Sequence, residues 1–398
     1  MMKRALALAA GLAAMLLPLA TSAQDVKLTA TAGVIRVDTD PELPLSRLDI
    51  PPENDGFAGA ELAEADNATT GRFLGHAYET LLIDTTPEEA VAALEAALAD
   101  GVRLFVALAP AETLLALADR AAQDDAIVLN AQARDMVLRQ AECRANVFHI
   151  APSRAMLADG LAQYMVWKKW TDWVIVEGSN PPDKAMGEAF ANAAKKFGID
   201  VVDRLIFEDT GRARRSDSGH VLVQRQIPTF MQSADDHDVV VVADESAYFG
   251  SYMPYRTWAP RPVAGEAGLI VRSWHPGHES WGATQLQRRF ERDQDRRMTE
   301  LDYQTWLSLR VIGEAVTRTN SADPQVIADY IRSDAFEIAA FKGEGLTFRP
   351  WNQQLRQGVL LADGPLVVTV SPQEEFLHQR TRLDTLGIDE PESTCSFE

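Results

Sequence analysis

The chain has 398 residues, with 58 Asp and Glu against 38 Lys and Arg, for a net charge of −20. That balance disfavours nucleic acid or any other polyanion as a partner, because such a partner needs a basic footprint. A small anion held by a local Arg cluster stays compatible with it. The length exceeds one ordinary core and fits two lobes.

The chain opens Met-Met-Lys-Arg, runs apolar from Ala5 to Ala20, and continues Thr21-Ser22-Ala23. A basic start, a short apolar core and small residues at a cut site predict a secretory signal peptide over residues 1–23. That run is shorter than the roughly 20 residues a spanning helix needs, and no other stretch is apolar enough, so membrane insertion is not expected. The two cysteines are Cys143 and Cys395. An even count in an exported chain predicts one disulfide; the alternative is a buried Cys143 thiol and a free one in a frayed tail.

Val34–Val37 reads as a strand, and 39–56 as a Pro- and Asp-rich loop carrying Arg47. Phe57–Ala68 reads as a helix with Asp55 as cap, and Glu79–Ile83 as the next strand. Thr86-Pro87-Glu88-Glu89 predicts a capping box opening a helix that ends at Gly101. Leu104–Leu108 is an apolar strand, 111–122 a helix and Ala126–Leu129 a strand. Asn130-Ala131-Gln132-Ala133-Arg134 is expected to enter a helix. Strands apolar on both faces, alternating with helices, predict a parallel sheet covered on both sides.

After Val147–Ile150 the pattern restarts. Helix 154–169, strand Trp173–Glu177, helix 183–197, strand Val201–Phe207 and strand Val239–Ala243 follow, with one more strand inside Val263–Val271. Residues 208–220 form a basic insert whose Arg212, Arg214 and Arg215 read as a solvated loop. From Thr284 to Thr319 the chain reads as helical, with Tyr303, Leu307 and Ile312 on a core-facing stripe. A helix at 324–333 and strands at 343–348 and 358–361 precede a polar tail from Ser371.

The stretch Arg272–Gly282 reads Arg-Ser-Trp-His-Pro-Gly-His-Glu-Ser-Trp-Gly. Pro and Gly make it a connection, and its Trp and Arg residues suit flat, anionic ligands. The plain alternative is that Trp274 and Trp281 plug a domain interface. No Gly-x-Gly-x-x-Gly, Walker loop or Gly-x-Ser-x-Gly elbow occurs. His275-Pro-Gly-His278 cannot form the helical zinc motif, so no metal and no catalytic residue is expected.

Residues 56–63, Gly-Phe-Ala-Gly-Ala-Glu-Leu-Ala, resemble the first helix of type I periplasmic binding proteins, the leucine/isoleucine/valine-binding kind. Asp100-Gly101-Val102, the helix carrying Tyr303, and residues 348–354 resemble further parts of that family. Residues 243–246, 254–258, 261–265, 273–275, 281–287 and 376–381 resemble a narrower group: ABC-transporter substrate-binding proteins that accompany pyrroloquinoline quinone (PQQ)-dependent alcohol dehydrogenases. The resemblance implies a two-lobed α/β fold with a three-strand hinge, and a monomeric, non-enzymatic periplasmic protein. PQQ is then its bound ligand rather than a catalytic cofactor, and an ABC permease or a PQQ-dependent dehydrogenase its partner.

Lobe one is expected over 26–150 and 274–341, lobe two over 151–273 and 342–370, and a tail over 371–398. Ligands of open parallel sheets sit beyond the carboxyl ends of the strands. That places Asn130, Gln132 and Arg134 in lobe one, Ser179, Tyr248 and Arg256 in lobe two, and Arg272, Trp274, His275 and Trp281 at the hinge as ligand-binding residues. Trp167, Trp170 and Trp173 read as packing. Ala109-Pro110 stands where amino-acid binders carry Ser and Thr, which counts against an aliphatic amino acid. Another small ligand (an amino acid, an amide or an aromatic acid) remains the competing reading, as does a role delivering cofactor to a dehydrogenase.

Overall fold

The computed structural model describes residues 26–39, 50–208 and 223–397. The signal peptide, Arg47, Arg212, Arg214 and Arg215 lie outside them.

The first sheet is built from β1 (Leu28–Val37), α1 (Phe57–Leu74), β2 (His76–Thr85), α2 (Ala90–Ala99), β3 (Leu104–Leu108), α3 (Ala111–Ala122), β4 (Ile127–Asn130) and β5 (Val147–His149). Its strands are parallel in the order β2-β1-β3-β4-β5. Every residue of β3 and β4 is buried, as expected of strands covered on both faces.

The second unit runs α4 (Arg154–Lys168), β6 (Asp172–Gly178), α5 (Pro181–Phe197), β7 (Asp200–Phe207), α6 (Val223–Phe230), β8 (Val239–Ala243), α7 (Met253–Arg256), β9 (Val263–Gly265) and β10 (Leu269–Arg272). The chain then returns to the first lobe through α8 (Ala283–Gln294), α9 (Glu300–Thr319), α10 (Pro324–Arg332) and the short pair β11 (Ile338–Ala339) and β12 (Gly345–Leu346). It ends in the second sheet with β13 (Val359–Asp363) and β14 (Leu366–Ser371). That sheet has the order β14-β13-β10-β9-β8-β6-β7, with β13 antiparallel to both of its neighbours. The result is the two-lobed α/β architecture expected.

Helix α9 lies directly on α1. A Cβ at Gly59 would stand 1.9 Å from the carbonyl oxygen of Asp302, so only glycine permits that approach.

Several local expectations are corrected. Helix α2 starts at Ala90, because Glu89 N bonds Thr86 O (3.2 Å) and closes a turn that displaces the capping box. Asp55 does not cap α1; its carboxylate accepts the Thr299 hydroxyl at 2.5 Å. No α-helix follows β4, because the Asn130 side chain accepts from Gln132 N (3.1 Å) and Ala133 N (2.9 Å) and turns the chain. The long helix breaks at left-handed Asp295 and restarts at a Thr299–Asp302 capping box.

The lobe boundary also moves. Leu346, Phe348 and Leu355 belong to the lobe-one core, so the final return to lobe two falls between Leu355 and Val359 rather than at 342. This segment lies beside the first crossover, where Gln357 Nε2 donates to Ile150 O (2.6 Å) and His149 pairs with Gln354. The third crossing is Arg272–Trp274.

The segment beyond Ser371 is a packed strap, not a loose tail. Leu383 joins the lobe-one core and Leu386 the lobe-two core. Between them Asp384, fully buried, accepts from Arg349 Nε (3.0 Å) and Arg356 Nε (2.8 Å). Cys143 and Cys395 are joined in a disulfide across 252 residues.

Candidate functional site

The carboxyl ends of β4, β8 and β9 bring Arg134, Glu245 and Glu266 toward one another across the space between the lobes. The third wall is the crossing Arg272-Ser273 with the first turn of α9. Glu300 opens that helix, where the exposed N–H groups favour a carboxylate. It accepts from Ser273 N (2.6 Å) and Ser273 Oγ (2.8 Å), and pairs with Arg134 at 2.8 Å and Arg272 at 3.6 Å. Burial pushes the Glu300 carboxyl up, but Arg134, Arg272 and Ser273 hold it below its ordinary value, so it stays ionised.

Arg154 closes the lobe-two side. Its guanidinium forks onto Glu245 (3.0 and 2.7 Å) and reaches Asp135 of lobe one at 2.8 Å. The Glu245 loop is fixed from both ends. Asp244 accepts from Tyr248 N, Phe249 N and Gly250 N at 2.8, 2.9 and 2.6 Å, and Asp183 accepts from Ser246 N at 2.8 Å. Burial raises the Asp244 carboxyl to about 6 against those three donors.

Glu266 differs from its neighbours. Its backbone N bonds Val242 O at 2.8 Å, but its carboxylate makes no hydrogen bond or ion pair with any described residue. Burial raises its pKa to about 7, with Arg134 pulling it down and Glu245 pushing it up. Behind the group, buried Lys342 donates to Ser273 O and lies 5.1 Å from the Tyr303 ring, and burial lowers its pKa to about 7. Arg134, Arg154, Arg272 and Lys342 thus face Asp135, Glu245, Glu266 and Glu300, and among these residues the charges cancel in number.

Of the residues picked from sequence, Arg134 and Arg272 come together here. Ser179 sits at the same end of the second sheet, just before α5. The others lie elsewhere. Trp274 is 1% exposed and stacks on Tyr303 (4.7 Å, 11°) inside the lobe-one core, with its indole N–H on Gln287 Oε1 (3.3 Å). Asn130 is fully buried and its amide is spent on its own turn and on His149 (3.0 Å). Tyr248 packs against Phe207 in the lobe-two core.

His275 Nε2 meets Gly364 O at 3.1 Å, which ties the loop to the β13–β14 turn. Trp281 is half exposed, and its ring rests on Gly343; a Cβ there would stand 2.6 Å from the ring, and φ at Gly343 is +87°. Arg256 lies on the surface beside Gln224 of α6 (3.4 Å). Trp173 is core, as read, while Trp167 remains half exposed.

Glu266, Glu300, Arg154, Glu245 and Lys342 were missed. The signal available was position alone: Glu245 and Glu266 stand at the carboxyl ends of predicted strands. Among the described residues no group of three or more His, Cys, Asp or Glu side chains could hold a metal ion, and no helix is long and apolar enough to cross a membrane.

Residues 52–211 match a family model described as periplasmic binding protein. No curated protein matches. Among solved structures, the chain is similar to a leucine-, isoleucine-, valine-, threonine- and alanine-binding protein from Brucella ovis, in its closed conformation (TM-score 0.72, 14% identity, 92% of this chain and 98% of that one). It is also similar to a branched-chain amino acid ABC transporter periplasmic ligand-binding protein from Burkholderia xenovorans (TM-score 0.70, 16% identity, 92% and 99%). A third is a solute-binding protein of an ABC transporter from R. palustris in complex with benzoate (TM-score 0.64, 14% identity, 92% and 99%). At these identities the likeness establishes the fold, that of the type I periplasmic binding proteins.

Proposed function

We propose that this chain, whose fold is that of the type I periplasmic binding proteins, is the solute-binding component of an ABC transporter and works in the periplasm. It captures a small organic solute between its lobes and performs no chemistry on it. Glu266 carries the reading: a carboxylate between two lobes, poised near neutrality, that meets no donor of the described residues while its neighbours are paired. An incoming ammonium or amide N–H supplies the missing donor, and Arg134 and Arg272 stand nearby for a carboxylate. The solute class this favours is an amino acid, an amide or a related small acid carrying a donor. With Ala109-Pro110 following β3, the guanidinium groups take the anion-holding part that hydroxyls play in other amino-acid sites.

PQQ, which the sequence resemblance implies, is the narrower alternative. It carries three carboxylates and a flat ring, and two arrangements count against it. Of the two tryptophans expected to stack on the ring or line it, Trp274 is committed to the lobe-one core, and Trp281 rests on Gly343 beside strand β14. The described cations of the site are matched by carboxylates rather than left in excess.

Calorimetric titration of the protein lacking residues 1–23 with leucine, a short amide, benzoate and PQQ tests the proposal. One amino acid or amide bound per chain, with PQQ silent, is the expected result. Saturable PQQ binding with none of the others restores the PQQ reading. Turnover of any of them overturns the non-enzymatic one.

A further inference from the structure

Strand β14 is an edge of the second sheet, with β13 as its partner. It carries no charged residue, and Leu366 and Val368 are 67% and 48% exposed. A groove of ≈ 670 Å³ runs along it, walled by the Gly277–Trp281 loop, Trp167 at the end of α4, and the 372–375 turn. Trp167 and Trp281 are each half exposed into solvent. The charged residues lining the groove are Glu279, Glu374 and Glu375, all exposed; Lys168 lies 5.3 Å from the Trp167 ring, and among the described residues no cation stands over the Trp281 ring. His278 adds no cation: its ring bonds Phe341 O at 3.1 Å, and burial lowers its pKa to about 4.

We propose that this groove docks a protein partner presenting an extended segment in which apolar side chains alternate with Lys or Arg. Contiguous exposed aliphatic and tryptophan surface marks interaction sites. Trp anchors such interfaces, and its ring face attracts Lys and Arg. Carboxylates of one sign on the walls select the cation and steer its approach. A free organic cation needs a site that buries most of its surface, whereas both Trp rings here stand open. A second copy of this chain would bring the same three glutamates against themselves across a two-fold axis. The β14 ladder is also interrupted by the bulge between Leu361 and Ala362, which guards the edge against strand-to-strand pairing. Recognition therefore runs through side chains.

The test uses the whole chain without residues 1–23 and the peptide acetyl-Lys-Leu-Arg-Val-Lys-Leu-amide as probe. The readouts are tryptophan fluorescence and hydrogen exchange. Saturable binding is expected, with slowed exchange over Leu366–Val370 and a fluorescence change reduced in Trp281→Phe. The double variant Glu374→Lys, Glu375→Lys should bind at least about tenfold more weakly while melting at the wild-type temperature. Raising salt should weaken binding to the wild type. No saturation by about 1 mM peptide, or equal affinity in the charge-reversed variant, overturns the proposal. So does spermidine that displaces the peptide at equal concentration, which assigns the groove to small cations. A concentration-dependent dimer abolished by Val368→Lys assigns it instead to a second copy.

Discussion

Replacing Glu266 by Gln separates the role of its charge from that of its shape. If Glu266 receives the cationic group of the solute, the substitution leaves that group facing an amide inside a closed cleft. Losing one partner of a desolvated charged contact costs about 2–5 kcal/mol, which is about 30-fold to several thousandfold in affinity. The pH dependence gives an independent check. Glu266 titrates at about 7 in the free protein, and the solute contact needs it ionised. Wild-type affinity should be level above pH 7 and fall about tenfold per unit below it, while the Gln variant should be flat.

In the unliganded protein the sign reverses. Burial raises the Glu266 pKa from 4.5 to about 7, so the folded chain holds this proton more tightly than the unfolded chain. The stability that this contributes is complete below 4.5 and is lost as pH rises through 7. Glu266→Gln should therefore unfold at higher urea than wild type at pH 8 and at nearly the same urea near pH 4. Calorimetry with whichever amino acid or amide saturates in the titration above, and urea melts at the two pH values, read both effects. A Gln variant that binds as tightly as wild type at pH 8, or a wild-type affinity with no break near neutrality, refutes the ammonium contact. Unchanged binding joined to the expected stability gain would leave Glu266 as a strained cleft residue that the solute does not touch.

Asp384→Ala should cost about 3–5 kcal/mol in urea unfolding, because it strands the buried Arg349 and Arg356 guanidinium groups. The triple replacement Arg349→Met, Arg356→Leu, Asp384→Leu should recover much of that loss. Removing the disulfide with Cys143→Ser should cost about 2–5 kcal/mol, given the 252-residue separation it closes, and should leave solute affinity nearly intact because neither cysteine is a hydrogen-bond or ion-pair partner of Arg134 or Glu266. Gly343→Ala should cost about 1–3 kcal/mol for forcing a left-handed backbone. It should also lift the Trp281 ring and shift its emission to the red, since the added Cβ meets that ring.

The two lobes were legible because their evidence is local and repeated. Runs such as Leu104–Leu108 and Val239–Ala243 are apolar throughout, and only a strand covered on both faces accepts that pattern. Trp274 was misread because its partner is remote. The periodicity of α9 put Tyr303 on a core face, but nothing in the spacing of a loop tryptophan says that it stacks there rather than on a ligand. Glu266 was passed over for the opposite reason: a single carboxylate at a strand end belongs to no motif, and its isolation becomes visible only when Arg134, Arg154 and Arg272 are seen bonded elsewhere. The strap misled by composition. Its composition is mostly polar from Ser371 onward, and the three buried residues that anchor it, Leu383, Asp384 and Leu386, fall within the short span 383–386.

That strap also sets the order in which the molecule can be completed. Chains are made from the amino end, yet Leu383 finishes the core of the first lobe and Leu386 that of the second. The partner of Cys143, Cys395, arrives later still. Both cores are thus closed by one short segment, residues 383–386, that is synthesised after the rest of each. A chain cut before Leu383 lacks the plug for each core and the cross-link at once. The strap therefore couples completion of one lobe to completion of the other.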